Sequence, residues 1–166
     1  MPGSGKSTIG KAVARRLGVP FVDADISIER RLGCSIAAFF EREGEDAFRD
    51  LELETIASLV VSGPSVLATG GGVVVRERNR ALLSARTHCV YLCASADLLW
   101  ERLRRDRRRP LLQVADPQAR LRAMYAEREP LYRETAQVVI QTDGLSFGRL
   151  VDQVVQHAGS SGGARG

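Results

Sequence analysis

The sequence predicts an α/β fold in three layers, with a parallel sheet in the middle and helices packed on both of its faces. Three observations carry this expectation. The chain opens on Pro2-Gly3-Ser4-Gly5-Lys6-Ser7-Thr8, most of the phosphate-binding pattern G-x-x-x-x-G-K-[ST], and a helical pattern follows at once. Short apolar runs then alternate with helix-length stretches, the spacing that parallel strands need for their crossovers. One of those runs passes straight into Gly70-Gly71-Gly72. Three consecutive glycines cost backbone entropy and pack nothing. They make sense where backbone must come close to a ligand, at the carboxyl end of a strand.

Each element follows from local chemistry. Small residues in the opening loop let successive backbone N–H groups curl around phosphate oxygens. Lys6 adds a cation for the β- and γ-phosphates, and the Ser7 hydroxyl can ligate Mg²⁺. Gly3, Ser4, Gly5, Lys6, Ser7 and Thr8 are therefore the expected nucleotide-binding residues. Ile9, Val13, Ala14 and Leu17 line one face of a first helix, whose positive N-terminal end meets the same anion. Gly18 stops that helix, and residues 19–22 form a short strand ending at Asp23 and Asp25. Carboxylates at that edge point into the crevice where such sheets bind ligands.

Residues 26–32 read as helix, Gly33 breaks the run, and Ser35 caps a short helix through Phe40 that Gly44 ends. A longer helix over 45–61 presents Phe48, Leu51, Ile56, Leu59 and Val60 on or near one face. After the Gly63-Pro64 turn, a strand over 65–69 leads into the glycine triplet. A helix over 76–85 and a strand over 88–92 follow, and Ser95 caps a helix carrying Leu98, Leu99, Trp100 and Leu103. An arginine-rich stretch ends at Pro110, and residues 111–117, without period, read as a mobile loop. A helix over 118–132, with Pro130 marking its last turns, a strand over 138–140 and a helix over 146–157 complete the domain. Residues 1–158 are expected as one domain, with 159–166 a disordered Gly/Ser tail.

Bulk properties narrow the function. The 166 residues, 44% hydrophobic and 27% charged, suit one ordinary globular domain with a proper core. No apolar run is long enough to span a membrane and no signal-peptide pattern is visible, so a cytoplasmic protein without a membrane partner is expected. Cys34, Cys89 and Cys93 have neither metal spacing nor an even count, which points to reduced thiols. A net charge of +4 invites nucleic acid as a partner. The distribution argues against it: arginines concentrate in 102–109, and aromatics are only 5% of the chain. Such a cluster more simply serves the phosphates of a small substrate.

The opening loop, Asp23-x-Asp25, Phe48-Arg49-x-x-Glu52, Gly70-Gly71-Gly72, Arg109-Pro110-Leu111 and Arg128-x-Pro130-Leu131-Tyr132, in this order, resemble the shikimate kinase family over nearly the whole chain. The resemblance implies a three-layer P-loop kinase fold, similar to nucleoside monophosphate kinases, with a five-stranded parallel sheet. It also implies a substrate-binding helical segment, here about 24–62, and a lid, here about 104–117. The implied reaction moves the ATP γ-phosphoryl group to the 3-hydroxyl of shikimate, with Mg²⁺, in aromatic amino-acid (chorismate) biosynthesis. A monomer acting on two small molecules, shikimate and ATP, is expected.

On the resemblance, Arg49 and Arg128 hold the substrate carboxylate, for which a planar guanidinium is suited. Asp25 binds substrate hydroxyls and receives the proton, and Gly70, Gly71 and Gly72 bring backbone to the ring. Ser7 and Asp23 serve the metal, Asp23 through water. Lys6 and the lid residue Arg109 act on the transferring phosphoryl group, and Arg102 falls, on register alone, where an arginine stacks on adenine. Glu52 either orients Arg49 or is a surface acid at the usual ion-pair spacing. Trp100 and Tyr125 sit at core spacing and read as packing.

Two departures stand out. The stretch 142–146 lacks the basic residues often found in the family's adenine-side loop. The first glycine of the phosphate pattern would fall one place before Met1, and no strand precedes the loop. The sheet is therefore expected to lack its first, central strand in this chain, and the chain to be truncated relative to a fully active enzyme. A gluconate-type kinase on the same fold and a non-catalytic nucleotide-binding module are the alternatives.

Overall fold

Two pairs of parallel strands frame the molecule in a computed structural model that describes residues 1–104 and 114–160. Strand β1 (Phe21–Asp23) pairs with β2 (Val66–Ala68), in the register Phe21 to Val66 and Asp23 to Ala68. Strand β3 (Val90–Cys93) pairs with β4 (Val138–Gln141), from Val90 opposite Val138 to Cys93 opposite Gln141. Helices connect them: α1 (Lys6–Leu17), α2 (Ala24–Leu32), α3 (Ile36–Leu59), α4 (Glu77–Arg86), α5 (Ala96–Leu103), α6 (Pro117–Thr135) and α7 (Phe147–Ser160). The parallel α/β architecture is the expected one. No helix among the described residues is long and apolar enough to cross a membrane.

Among the described residues the two strand pairs are not hydrogen-bonded to each other. Between the facing edges of β2 and β3 lies a cavity of about 470 Å³, lined by Val66 and Leu67 on one side, Val90 and Tyr91 on the other, and Val13 of α1. Met1 reaches into it, 4% exposed, and burial pushes its amine down to about 5, with the charges of Lys6 and Arg128 adding to the effect.

Helix boundaries obey their caps. The Ser35, Ser95 and Asp116 side chains accept from the amides of Ala38, Leu98 and Ala119, at 3.2, 3.2 and 2.9 Å, and so begin α3, α5 and α6. Gly18 and Gly33, both left-handed, close α1 and α2. Three expectations need correction. The aspartate pair does not end a strand together: Asp23 closes β1 and caps α2, while Asp25 lies in the first turn of that helix. Gly44 does break the helical path as expected: at φ 83° and ψ 176° it leaves helical backbone, so α3 consists of two helical segments that meet at a kink there, an angle that glycine takes without strain.

Helix α6 runs on through Pro130 to Thr135. Proline removes one internal hydrogen bond, and here it does so on an exposed face, where water can serve the freed carbonyl. Finally, α7 extends to Ser160, so the first two residues of the expected tail are helical. The rest of that tail, and residues 105–113 of the expected lid, lie outside the described residues.

Two apolar clusters hold the layers. One gathers Ile56, Leu83, Leu99 and Leu121 from α3 to α6, with Trp100 and Tyr125 packed against it as expected. The other sets Ile9 and Val13 of α1 against Leu150 and Val151 of α7 and Ile140 of β4. Together they hold the carboxyl ends of β1 and β2 beside the start of α1, where the candidate site forms.

Candidate active site

The anion-binding end is built by two left-handed glycines. Gly3 at φ 79° and Gly5 at φ 82° turn the chain into α1. A Cβ on Gly3 would come within 2.9 Å of Leu103 Cγ, so the loop packs directly onto α5. No side chain caps α1, which leaves the first-turn amides pointing outward for an anion. Ser4 is buried, Lys6 is half-buried and Thr8 is exposed. Arg102 sits at the loop's edge, where its Nη1 donates to the Gly3 carbonyl at 3.3 Å.

Next to this loop stand two aspartates. Ser7 Oγ donates to Asp23 Oδ2 at 3.1 Å, which joins the loop's hydroxyl to the end of β1. The other oxygen of Asp23 accepts from the Asp25 amide at 3.1 Å. Burial pushes the Asp25 carboxyl above its ordinary value and the neighbouring Asp23 charge adds to this, while Lys6 and Arg49 pull the other way. Asp25 thus lies within the fields of the loop's lysine and of an arginine from a different helix.

That arginine is firmly held. Arg49 Nη1 donates to Glu52 Oε2 at 2.9 Å, and its Nε and Nη2 both donate to Glu45 Oε1, at 3.2 and 3.0 Å. Its guanidinium lies over the ring of Phe48, 5.2 Å from the centroid. Glu52 is 2% exposed, so it is no surface acid: it faces inward and orients Arg49. Burial raises the Glu52 carboxyl, and the Arg49 charge is the main force opposing that rise. Its second donor is Asn79 of α4, whose Nδ2 lies 3.3 Å from Glu52 Oε2.

Arg128 of α6 approaches the same place, and its charge bears on Glu52 and on Tyr132. Its Nε is buried and meets no hydrogen-bond acceptor among the described residues. Tyr132 is stacked on Tyr91 at 4.9 Å, donates to the Gly71 carbonyl, and has its phenol pushed up to about 12 by burial.

The glycine triplet explains itself here, though not solely as the sequence suggests. A Cβ on Gly70 would stand 2.6 Å from Asp25 Oδ1, and one on Gly72 would stand 2.4 Å from Arg49 Nη2. A Cβ on Gly71 would meet Tyr132 Oη at 3.3 Å. Each glycine makes room for a side chain from elsewhere in the chain: Asp25, Tyr132 and Arg49 in turn.

The structure therefore brings together Lys6, Ser7, Asp23, Asp25, Arg49, Arg128 and the three glycines, with Arg102 at the rim. Arg109 lies outside the described residues. The sequence does not single out Asn79 or Tyr132 as functional. Asn79 shows in it only as a polar residue within a helix, which does not reveal a partner on another helix.

The chain as a whole is similar to known proteins. A family model described as shikimate kinase matches residues 2–158. A shikimate kinase of Paracidovorax citrulli is 54% identical over 159 residues, which cover 95% of this chain and 85% of that protein. One of Burkholderia thailandensis is 50% identical over 160 residues, covering 96% and 87%. Among solved structures, shikimate kinase from Acinetobacter baumannii in complex with shikimate superposes with a TM-score of 0.89 at 39% identity, covering 99% of this chain and 92% of that one. Shikimate kinase from Aquifex aeolicus gives 0.82 at 28% identity, covering 98% and 95%. With its phosphate loop, its aspartate pair and its buried arginine in one crevice, the chain belongs to the shikimate kinase family.

Proposed function

We propose that this protein transfers the γ-phosphoryl group of ATP to the 3-hydroxyl of shikimate. The observation that carries the proposal is the placement of Asp25. It stands between a phosphate-binding lysine loop and a buried, preset guanidinium, so that an alcohol bearing a carboxylate can be held beside a nucleoside triphosphate. Arg49 takes the carboxylate, its geometry fixed in advance by Glu45 and Glu52. Arg128 offers a second guanidinium with a buried nitrogen in need of an acceptor.

Asp25 accepts a hydrogen bond from the reacting hydroxyl and takes its proton as the bond to phosphorus forms. Burial and the neighbouring Asp23 charge raise its affinity for protons, which suits a group that accepts one. The α1 amides and Lys6 hold the triphosphate, so that the charge spreading over the transferring group meets fixed donors. Arg102 lines the nucleotide end of the crevice, and Arg109 is assigned to the transferring phosphoryl group.

Ser7 and Asp23 form a pair of hard oxygen donors 3.1 Å apart, which fits Mg²⁺ bound through few protein ligands and the substrate's phosphates. When bound there, the ion neutralises phosphate charge. The enzyme works as a monomer on this reading. Its free cysteines suit the reducing cytoplasm. Measuring ADP release with shikimate, with gluconate and with neither tests the assignment. Shikimate alone should stimulate it, and stimulation by gluconate instead would move the protein to another substrate class.

A further inference from the structure

We infer that Asn79 is a positioning residue for the substrate: acting through Glu52, it fixes the guanidinium of Arg49. The inference rests on the assignment of Arg49 to the substrate carboxylate. Asn79 is wholly buried, at 0% exposure, on a helix whose other fully covered side chain, Leu83, belongs to the apolar core. An apolar residue would serve such a position better if packing were its only duty.

Its two polar ends are unequal. The Nδ2 group donates to Glu52 Oε2 at 3.3 Å, whereas no donor meets Oδ1 among the described residues. The amide is thus retained for the one bond it makes. With the amide turned over, its carbonyl would face a carboxylate, so the orientation is fixed by charge.

The same Glu52 oxygen accepts from Arg49 Nη1 at 2.9 Å. One oxygen therefore links α4 to the guanidinium, and its position is defined by both donors. Without Asn79, Glu52 can rotate about its side-chain bonds and Arg49 can follow it. Gly72 adds no side chain to hold the guanidinium in place, since a Cβ there would stand 2.4 Å from Nη2. A small displacement would misalign a bidentate contact with the substrate, because such contacts depend on a planar fork held in place. Asn79 touches neither substrate nor Asp25, so its effect should fall on one substrate only.

The test compares Asn79→Leu with the parent chain in steady-state kinetics. Leu is close to Asn in shape and also removes the unpaired carbonyl, so a purely structural role predicts little change. Positioning predicts a shikimate KM raised about tenfold, the scale of one hydrogen bond to a charged group, with the ATP KM unchanged. An unchanged shikimate KM, or both KM values rising together, overturns the inference.

A second pair of variants decides the matter if the leucine variant does not fold. Asn79→Asp sets a carboxylate against Glu52. Adding Glu52→Gln restores one donor facing one acceptor, since the new amide can donate to the carboxylate introduced on α4 and accept from Arg49. The double variant should bind shikimate more tightly than Asn79→Asp alone, and equal or weaker binding overturns the inference. Loss of shikimate turnover in the parent chain itself would overturn the assignment beneath it and the inference with it. Parent turnover with an indifferent Asn79→Leu would overturn the inference alone.

Discussion

Replacing Arg49 by alanine would strand a buried carboxylate. The Arg49 and Glu52 side chains are 8% and 2% exposed, and their charged atoms lie 2.9 Å apart. Removing one member of such a pair costs about 3–5 kcal/mol, because the other keeps its charge without compensation. Against a typical total stability of about 5–15 kcal/mol, that is a large share. The second pair of Arg49, with the 58% exposed Glu45, adds little, since water already screens it.

The pH dependence of the loss has a definite sign. Burial already raises the Glu52 carboxyl above 4.5, and the Arg49 charge is the largest force holding it down. Alanine at 49 lets it rise further. A carboxyl whose folded value exceeds its unfolded one contributes stability below the unfolded value and loses it as pH climbs through the folded value. The deficit of the variant should therefore be greatest in neutral and alkaline solution and shrink on acidification, as Glu52 takes up a proton. Urea denaturation of parent and variant across that range measures it. Glu52→Gln in the variant background should recover much of the loss at neutral pH by removing the charge itself. A deficit that is constant with pH and indifferent to Glu52→Gln would refute the buried pair as its cause.

Three further outcomes follow from the same geometry. Asp25→Asn keeps the side chain's shape and removes its base, so turnover should fall about 10²–10⁴-fold while ATP affinity, measured by calorimetry, holds; near-normal turnover would reduce Asp25 to a binding residue. Arg109→Ala should lower turnover, and added DNA or RNA should not compete with ATP. Salt-sensitive binding of nucleic acid at physiological ionic strength would instead give the basic stretch a different partner. Joining a short apolar strand that ends in glycine to Met1 should raise the Tm, since it replaces a buried amine by a peptide bond and offers partners to the facing edges of β2 and β3. An unchanged Tm would mean that the cavity does not accept a strand.

The residues that could be read from the sequence are those whose chemistry is local. The phosphate loop is a contiguous string, and the left-handed Gly3 and Gly5 follow from it. Asp23 and Asp25 were placed at the end of a strand, and the structure changes only the element that carries Asp25. Glu52 was ambiguous because a three-residue spacing from Arg49 looks the same on a solvated face and a buried one. Only the packing of α3 against its neighbours decides it.

The glycine triplet was legible as a close approach, but not that Gly70 and Gly72 would press on Asp25 and Arg49. Those contacts join residues far apart in the chain. Asn79 shows the same limit, since its one bond reaches back 27 residues to another helix. Pro130 misleads in the opposite direction. It reads as a helix end, and α6 absorbs it on an exposed face, whereas Gly44 breaks the helical path as its residue type predicts.

The most direct test of the functional assignment is to incubate the protein with ATP, Mg²⁺ and shikimate and follow the products by phosphorus and proton NMR. The expected result is one new phosphate monoester on the 3-hydroxyl of shikimate, formed in step with ADP and lost in Asp25→Asn. Inorganic phosphate released at the same rate with or without shikimate, or an ester on another hydroxyl, would contradict the placement of Asp25 and Arg49 around this substrate.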